Sequence, residues 1–288
     1  MSNLVITVES GSDLTEEMAR QYGIFIVPMY VQFKDETRAD GSFPASDVCR
    51  YFKETGKVPK TSGSSPEDYR KVFDEIHRRW PEKKILHLAY SAVTTCSYQS
   101  ARIAAEGWDY VACLDTKHVS AGLTAAVTAV ARRLQEKEEW ELREAVREAE
   151  KITGRVRMCF LPYNLTYLRA GGRCGNLTAL CGNLLQIHPR IELLEGCLKA
   201  TKKYRGSMKK LVPRLIRDYS AQEELERSEI WLLHTVEFPE EIRQAATETA
   251  REEGFRTIHW MEAKGVITVH GGPGAFAMAG YASGVHRS

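Results

Sequence analysis

Short apolar runs alternate with amphipathic stretches through the first half of the chain. Apolar runs bounded by turn residues predict strands, and they occur at LVITVES, IFIVPMYVQF, KILHLAYS and DYVACLD. Apolar positions at helical spacing predict helices through Leu14, Met18 and Tyr22, after Ser65, from about Ser97, and from about Ser120 to Leu134. Strand, loop and helix repeated in this order indicate a parallel sheet with helices on its faces.

Hydroxyl-bearing residues cluster at the junctions between these strands and helices. The junctions have the sequences ESGSD, TSGSS, SAVTTCS and DTKHVSAG. Ligands of open parallel sheets bind beyond the carboxyl ends of the strands. We therefore expect the four junctions to collect at that edge of the sheet.

The rhythm of the chain changes near Gly154. Residues 135–152 are strongly charged and sparsely apolar, which predicts a solvent-facing helix that ends at Gly154. Strands are predicted beyond it, with at most three helices among them, at RVRMCFL, RIELLEGCLKATKKY, EIWLLHTV, RTIHWMEA, VITVH and AFAMAGYA. Glu195-Gly196 predicts a hairpin turn. We predict an α/β domain with a parallel sheet at residues 1–154, and an α+β domain with a mainly antiparallel sheet at residues 155–288.

The stretch KTSGSSPEDYRKVF, residues 60–73, crowds hydroxyls at the entrance of a helix. Ser65, Pro66 and Asp68 fit the N-cap, the first position and the third position of a capping box. Thr61 and Ser62 are not explained by capping. They form either a loop that hydrogen-bonds to itself or a ligand site beside free backbone N–H groups.

Composition describes a soluble globular protein and excludes several classes. Of 288 residues, 43% are hydrophobic and 27% are charged, and the net charge of +2 gives no argument for binding nucleic acid or membranes. No apolar run approaches the roughly 20 residues of a membrane span, and the start of the chain does not resemble a signal peptide. Seven cysteines without a C-x-x-C pair indicate free thiols in a reducing cytoplasm.

Motifs of catalysis are scarce. G-x-S-x-G, the Walker loop and H-E-x-x-H are absent, and the histidines show no metal-ligand spacing. We therefore expect no metal and no cofactor. A Ser62–His270–Asp115 triad can be written down, as it can for most chains. An esterase or acyl transferase that uses a hydroxyl and His270 is the one enzymatic function left open, as the alternative to a binding protein.

Two glycine-rich blocks of the second half carry candidate ligands. YLRAGGRCGNL places Arg173 after two glycines, which permit positive φ and the close approach of another group. An arginine there suits a carboxylate or phosphate, or else pairs with a structural aspartate or carbonyl. His270 is predicted to end a strand before a tight Gly-Gly-Pro-Gly connection. It is either a ligand-binding residue or a structural histidine.

A basic run follows. Eight cations within nineteen residues have no acid among them: Lys199, Lys202, Lys203, Arg205, Lys209, Lys210, Arg214 and Arg217. Such a run forms either a solvated face or a docking surface for an acidic or phosphate-bearing partner.

Several blocks together resemble the DegV family of bacterial fatty-acid-binding proteins. They are TVESGSDL, TSGSSPEDY, SYQSA, LDTKHVSAGL, YLRAGGRCGNLTALCGNLLQIHPRIELLEGCL and VHGGPGAF, in the family's order and over nearly the whole chain. The resemblance implies an N-terminal α/β domain, a C-terminal α+β domain, and a long-chain fatty acid such as palmitate, stearate or oleate held in a tunnel between the two domains or within the first. It implies no catalytic residue in this chain. A separate fatty acid kinase would receive the bound carboxylate and make an acyl phosphate for phospholipid synthesis, with at most transient membrane contact.

The resemblance also assigns residues. Thr61 and Ser62 match the Thr-Ser pair that bonds the carboxylate, the family's further hydroxyl ligand falls at Thr95, and Arg173 and His270 match residues near the head group. The chain departs from the family at three positions: Thr95 replaces serine, Cys96 replaces glycine, and Glu9 stands where aspartate is usual. Docking of the kinase is assigned, as a hypothesis, to Lys202, Lys203 and Arg205.

Overall fold

The computed structural model describes residues 2–173 and 187–284. The strands up to residue 154 are β1 (Leu4–Glu9), β2 (Ile24–Val27), β3 (Tyr30–Phe33), β4 (Glu36–Ala39), β5 (Lys60–Ser62), β6 (Lys84–Ala89) and β7 (Val111–Asp115). The helices of this half are α1 (Glu16–Tyr22), α2 (Ser46–Thr55), α3 (Pro66–Arg79), α4 (Ser97–Ala104), α5 (Ser120–Gln135) and α6 (Leu142–Thr153).

Beyond residue 154 the described elements are of both kinds. The strands are β8 (Val156–Leu161), β9 (Ile187–Leu194), β10 (Cys197–Arg205), β11 (Glu229–His234), β12 (Thr257–Glu262) and β13 (Phe276–Tyr281). The helices are α7 (Thr166–Gly171), α8 (Met208–Gln222), α9 (Glu240–Glu252) and α10 (Gly265–Gly271).

The predicted parallel sheet is confirmed. Its strand order is β2-β1-β6-β7, and all neighbouring strands run parallel. Every residue of β1 is buried because helices cover both faces of the sheet. Helix α3 packs against one face through Tyr69, Phe73 and Ile76. The central strands are therefore continuous apolar runs rather than alternating ones.

A small antiparallel sheet of order β4-β3-β5 interrupts the first half. The run IFIVPMYVQF divides into β2 and β3 at Pro28, because proline has no N–H to continue a ladder. Thr61 pairs with Val31 and Ser62 pairs with Tyr30 in this sheet. The expectation that TSGSS is a junction of the parallel sheet is therefore wrong, since Thr61 and Ser62 lie on an antiparallel strand.

The capping box at the start of α3 is present as predicted. The Ser65 side chain accepts from the backbone N–H of Asp68, and the Asp68 carboxylate accepts from the backbone N–H of Ser65 at 2.8 Å. Pro66 occupies the first helical position. These contacts leave the hydroxyls of Thr61 and Ser62 free of any capping role.

The second half contains a six-stranded sheet of order β10-β9-β8-β13-β11-β12. Only β11 and β12 run parallel, which confirms the prediction of a mainly antiparallel sheet. Glu195 and Gly196 form the predicted hairpin turn between β9 and β10, with φ values of 49° and 78°. The turn type requires positive φ at both positions.

Two predictions for the second half are wrong. The segment VITVH, predicted as a strand, forms most of helix α10, and His270 therefore lies in the last turn of a helix. The described part of this half holds four helices rather than at most three. The β-branched residues of VITVH favour a strand, but Val266 and Val269 are buried at helical spacing. Tertiary burial outweighs local propensity here.

The charged segment before Gly154 also differs from its prediction. Only Leu142–Thr153 is helical, and α5 ends at Gln135. Ala145 and Ala149 are fully buried, so one face of α6 packs on the protein instead of facing solvent. Small apolar residues at i and i+4 mark that face.

The largest apolar cluster joins the two halves of the chain. It combines Val8 and Leu123 with Trp231, Met261 and Ala277. A second cluster lies beneath α8 and α9. The domain boundary at residue 154 stays a prediction.

Two findings concern only the described residues. No described helix has the length and apolar character that crossing a bilayer requires. Free thiols were predicted, and five of the cysteines are free: Cys49, Cys96, Cys113, Cys159 and Cys197.

Candidate functional site

A narrow apolar cavity of about 90 Å³ lies between the two halves of the chain. Its apolar walls include Met29, Val119, Met158, Phe160 and Leu233. Its polar lining consists of Thr61, Ser62, Thr94, Thr95, Ser120, Arg173, Thr235 and His270 together with Tyr90. The structure thus brings together the five residues that the sequence proposes for a carboxylate, although their role in binding stays a prediction.

Thr61 and His270 are in direct contact. Thr61 Oγ1 lies 2.9 Å from His270 Nε2, and this bond joins β5 to the last turn of α10. Within the described residues, His270 Nδ1 is buried and has no hydrogen-bond partner. Buried N–H groups without a partner are rarer in proteins than under-satisfied acceptors, so the arrangement favours Nε2–H donating to Thr61. The Thr61 hydroxyl hydrogen then remains available to a ligand.

His270 is neutral near pH 7 in this environment. Burial, followed by the nearby charge of Arg173, lowers the pKa of His270 to about 4. A carboxylate that entered the cavity would oppose both effects, because a negative charge favours the protonated ring. His270 is therefore suited to respond to an anionic head group.

Two glycines provide the space for these polar groups. A Cβ on Gly171 would lie 2.3 Å from His270 Nδ1, and a Cβ on Gly63 would lie 2.4 Å from Ser97 Oγ and 2.6 Å from Thr95 Oγ1. Side-chain carbon cannot be accommodated at such distances. Gly172 has a φ of 65° and ends α7. The GG pair before Arg173 therefore serves both expected purposes, close approach and positive φ.

Arg173 lies where the cavity nears the surface. Its guanidinium donates to the carbonyl of Gly171. Arg173 and Leu198 line the apolar cavity and also a shallow surface pocket that includes Val93. Residues 174–186 of the same sequence block are outside the described part of the chain. Arg173 therefore connects the polar lining of the cavity with the surface pocket.

Thr95 occupies the position expected for a hydroxyl ligand. Its Oγ1 lies 3.1 Å from Ser97 Oγ and accepts from the Ser97 N–H at 3.3 Å. Cys96, which replaces a glycine, has a φ of −79° that any residue adopts. The departure at position 96 therefore causes no backbone strain.

A buried polar network behind the cavity was missed by the sequence analysis. Glu9 accepts hydrogen bonds from Tyr69 Oη at 2.6 Å, from His87 Nε2 at 3.1 Å and from the Tyr90 N–H at 2.8 Å. Burial would raise the pKa of Glu9, but His87 and these hydrogen bonds outweigh it and hold the pKa below its ordinary value. Tyr69 also interacts with Ser97, the neighbour of Thr95. A histidine inside the apolar run KILHLAYS was the available signal.

A wider cleft of about 800 Å³ has a different character. Acidic side chains line it, including Asp115, Glu192 and Glu223, and none of the five proposed ligands does. Size alone would favour this cleft, but its lining carries charges of both signs, including Lys117 and Arg157, and does not suit an alkyl chain.

The proposed triad is not assembled. His270 bonds Thr61 rather than Ser62, while Asp115 accepts from the backbone of Ala92 and Lys117 at the wider cleft. Among the residues that the structure describes, no group of His, Cys, Asp and Glu is arranged to hold a metal ion.

The basic run is partly neutralised by acids from elsewhere in the chain. Lys202 pairs with Asp218 at 2.8 Å and Lys209 pairs with Glu241 at 2.8 Å. Lys203 and Arg205 are exposed on the edge strand β10. The free positive charge of the run is therefore smaller than the sequence suggests.

Comparison with known proteins gives a consistent result. The family model described as "uncharacterised protein, DegV family" matches residues 3–283. A DegV domain-containing protein from Caldanaerobacter subterraneus subsp. tengcongensis is 28% identical over 96% of this chain and 97% of its own. A fatty acid-binding protein from Thermotoga maritima is 26% identical over 71% of this chain and 72% of its own. A solved structure of a fatty-acid-binding DegV family protein from Thermus thermophilus has a TM-score of 0.86 at 26% identity, covering 97% of this chain and 99% of that one.

Proposed function

Because the chain belongs to the DegV family, we propose that it binds a long-chain fatty acid and presents the carboxylate to a separate fatty acid kinase. The observation that carries the proposal is the cavity: its walls are largely apolar, and Thr61, Ser62, Thr95, Arg173 and His270 all belong to its lining. The names of two relatives, from Thermotoga maritima and Thermus thermophilus, support the ligand class.

The tail supplies most of the affinity in this proposal. Full burial of about fourteen methylenes at roughly 0.8 kcal/mol each would contribute about 11 kcal/mol, and the cavity of about 90 Å³ has to widen to admit such a tail. Loss of translational and rotational freedom offsets roughly 4–15 kcal/mol. Each hydrogen bond to the charged head group adds about 1.5–3 kcal/mol. The polar residues therefore orient the acid, and their hydrogen bonds determine whether the gain from tail burial exceeds the loss of translational and rotational freedom.

The head group needs several donors because a buried carboxylate is costly without them. Thr61 and Thr95 offer hydroxyls, and Arg173 offers a guanidinium next to its contact with the Gly171 carbonyl. Arginine suits the planar carboxylate. Arg173 also lines the surface pocket at Val93, so a kinase could reach a carboxylate held beside Arg173 without removing the tail.

The ligand itself tests the proposal. We expect protein purified from bacterial cells to carry a long-chain fatty acid, and native mass spectrometry should show the mass of the complex. Delipidated protein should rebind palmitate or oleate. A protein that stays unliganded after addition of both acids would refute the binding function.

The alternative, a stand-alone esterase or acyl transferase, is separated by turnover. Palmitoyl esters incubated with the purified protein should release no acid under the carrier proposal. Measurable hydrolysis that is lost on replacing His270 would favour the enzyme instead. The absence of an assembled Ser62–His270–Asp115 triad in the described structure supports the carrier.

We expect the exposed part of the basic run to assist docking of the kinase. Reversing Lys203 and Arg205 to glutamate should raise the carrier concentration at half-saturation of the kinase by roughly tenfold at low salt, since a charged rim accelerates encounter. The effect should shrink at high salt, where exposed charges are screened. Lys202 is left unchanged because it pairs with Asp218.

Arg143 and Arg147 provide the matched control for this reversal. Both are exposed on α6, and their reversal changes the net charge by the same amount. Kinase turnover should respond to the β10 pair and not to the α6 pair. Equal responses of both pairs would assign the effect to overall charge, and no response would make the basic run a solvated face.

A further inference from the structure

Helix α10 carries His270 in its last turn, and carboxylates from the first half of the chain hold its first turn. Asp13 Oδ1 accepts from the Lys264 N–H at 2.8 Å, and Asp40 Oδ1 accepts from the Val266 N–H at 2.9 Å. Asp13 is 1% exposed and Asp40 is 7% exposed. The helix is thus fixed to the first half at its start by these bonds and at its end by the bond from His270 to Thr61.

Asp13 also fixes a second element of the cavity. Its Oδ2 accepts from Ser120 Oγ at 2.6 Å. Ser120 begins α5 and lines the cavity. The Lys264 ammonium donates to the Leu14 carbonyl at 3.0 Å, which strengthens the same connection. One carboxylate therefore ties the starts of α5 and α10 together, and both helices contribute polar groups to the cavity.

The hydrogen bonds of Asp13 matter more than its charge. Burial, with a smaller contribution from the nearby Asp40, raises the pKa of Asp13 to about 7, although hydrogen bonds from Ser120 and Lys264 and the charge of Lys264 oppose the rise. A buried charge is held at a cost that a neutral acceptor would avoid. An amide oxygen could accept from the Lys264 N–H, and the serine hydroxyl could turn to accept from an amide N–H.

We propose that Asp13 is a positioning residue for the head-group end of the cavity: it holds the first turn of α10 so that His270, in the last turn, meets Thr61. The head group in this proposal is that of the fatty acid, and this part of the proposal rests on the proposed function. The placement of His270 does not, because it is a property of the unliganded protein.

The backbone at Asp13 decides which variants are informative. Asp13 has a φ of 60°, a conformation that glycine and asparagine tolerate and alanine does not. Asp13→Gly therefore removes the side chain without backbone strain. Asp13→Asn keeps an acceptor for the Lys264 N–H. The two variants separate loss of the hydrogen bonds from loss of the charge.

Glu229 supplies the matched control. It is 8% exposed and also joins the halves, because it accepts from Arg132 of α5 at 3.0 Å and contacts His259 of β12 at 2.9 Å. Among the residues that the structure describes, its hydrogen-bond partners lie in α5 and β12 and not in α10. Glu229→Ala therefore removes a buried carboxylate between the halves without touching the proposed connection.

The primary measurement is the NMR signal of the His270 imidazole ring in long-range ¹H–¹⁵N spectra of delipidated protein. The variant His270→Gln, which lacks this signal, assigns it. In Asp13→Gly we expect the ring signals to shift and the pKa to rise from about 4 toward the ordinary value of about 6.5. Palmitate affinity should fall about tenfold, as expected when one donor to a charged group is misplaced. Asp13→Asn should restore both properties, and Glu229→Ala should leave both unchanged.

Unchanged ring signals and palmitate affinity in a folded Asp13→Gly protein would overturn the proposal. An equal change in Glu229→Ala would also overturn it, because general packing between the halves would then be responsible. If Asp13→Gly does not fold, Asp40→Ala releases the same turn of α10, and it must shift the ring signals for the proposal to stand. Wild-type protein that binds no palmitate, with ring signals that still respond to Asp13→Gly, would refute the proposed function alone.

Discussion

Replacing Thr61 and Ser62 together by alanine is expected to weaken palmitate binding about a hundredfold, because each donor to a charged carboxylate contributes about 1.5–3 kcal/mol. The variant also removes the acceptor of His270 Nε2, which lies 2.9 Å from Thr61 Oγ1. Strand β5 pairs with β3 through its backbone, so the sheet should survive. Titration calorimetry of delipidated protein with palmitate measures the loss.

Thr37→Ala is the control for this double variant. Thr37 is an exposed threonine of β4 in the same small sheet, and it does not line the cavity. Its replacement should leave palmitate affinity unchanged. If the double variant has wild-type affinity, and the carboxylate is equally ordered in a crystal structure, then Thr61 and Ser62 do not bind the ligand. This stretch would then only lead into the capped helix α3.

Filling the apolar cavity should have a still larger effect. Ala277 of β13 pairs with Phe160 on one side and Leu233 on the other, and all three line the cavity. A phenylalanine at position 277 would take the space of several methylenes, each worth about 0.8 kcal/mol, so we expect affinity to fall several hundredfold. Ala277→Val should give an intermediate loss.

The effects of these larger side chains on palmitate affinity are compared with their effects on stability. Ala279→Val adds the same side chain to the same strand but outside the cavity lining, so it should lower the melting temperature and spare palmitate affinity. Calorimetric titration and thermal melting of the three variants give the comparison. If a folded Ala277→Phe protein binds palmitate as tightly as wild type, the tail does not occupy this cavity.

Most of the fold follows from apolar periodicity, and the failures have physical causes. The run LVITVES is buried on both faces in a parallel sheet and is recognised as a strand for that reason. VITVH has an equally strong β-branched signal, yet it forms α10. Its first turn is held by Asp13 and Asp40, which are more than 200 residues away in sequence. No local pattern contains that information.

The candidate site was predictable only where residues match a known pattern. Local chemistry made Thr61, Arg173 and His270 candidates with a structural alternative, the resemblance chose between the two, and the structure places them at one cavity. Glu9 was noted only as a departure, because its partner His87 lies inside an apolar strand and its partner Tyr69 on the apolar face of α3, positions that otherwise predict core. Their contacts join β1, β6 and α3, and such contacts are set by the packing of elements and not by spacing along the chain.

The closeness of Gly171 to His270 couples the permitted substitutions at the two positions. A methyl group at position 171 would overlap the imidazole, whose Nδ1 lies 2.3 Å from the Cβ position. A smaller residue at position 270 would relieve the overlap but would remove the partner of Thr61. The two positions therefore show epistasis: alanine at 171 is structurally acceptable only in a background that has already lost the histidine. Neither position can change freely while the hydrogen bond is under selection, and loss of the histidine would release position 171 to accept alanine.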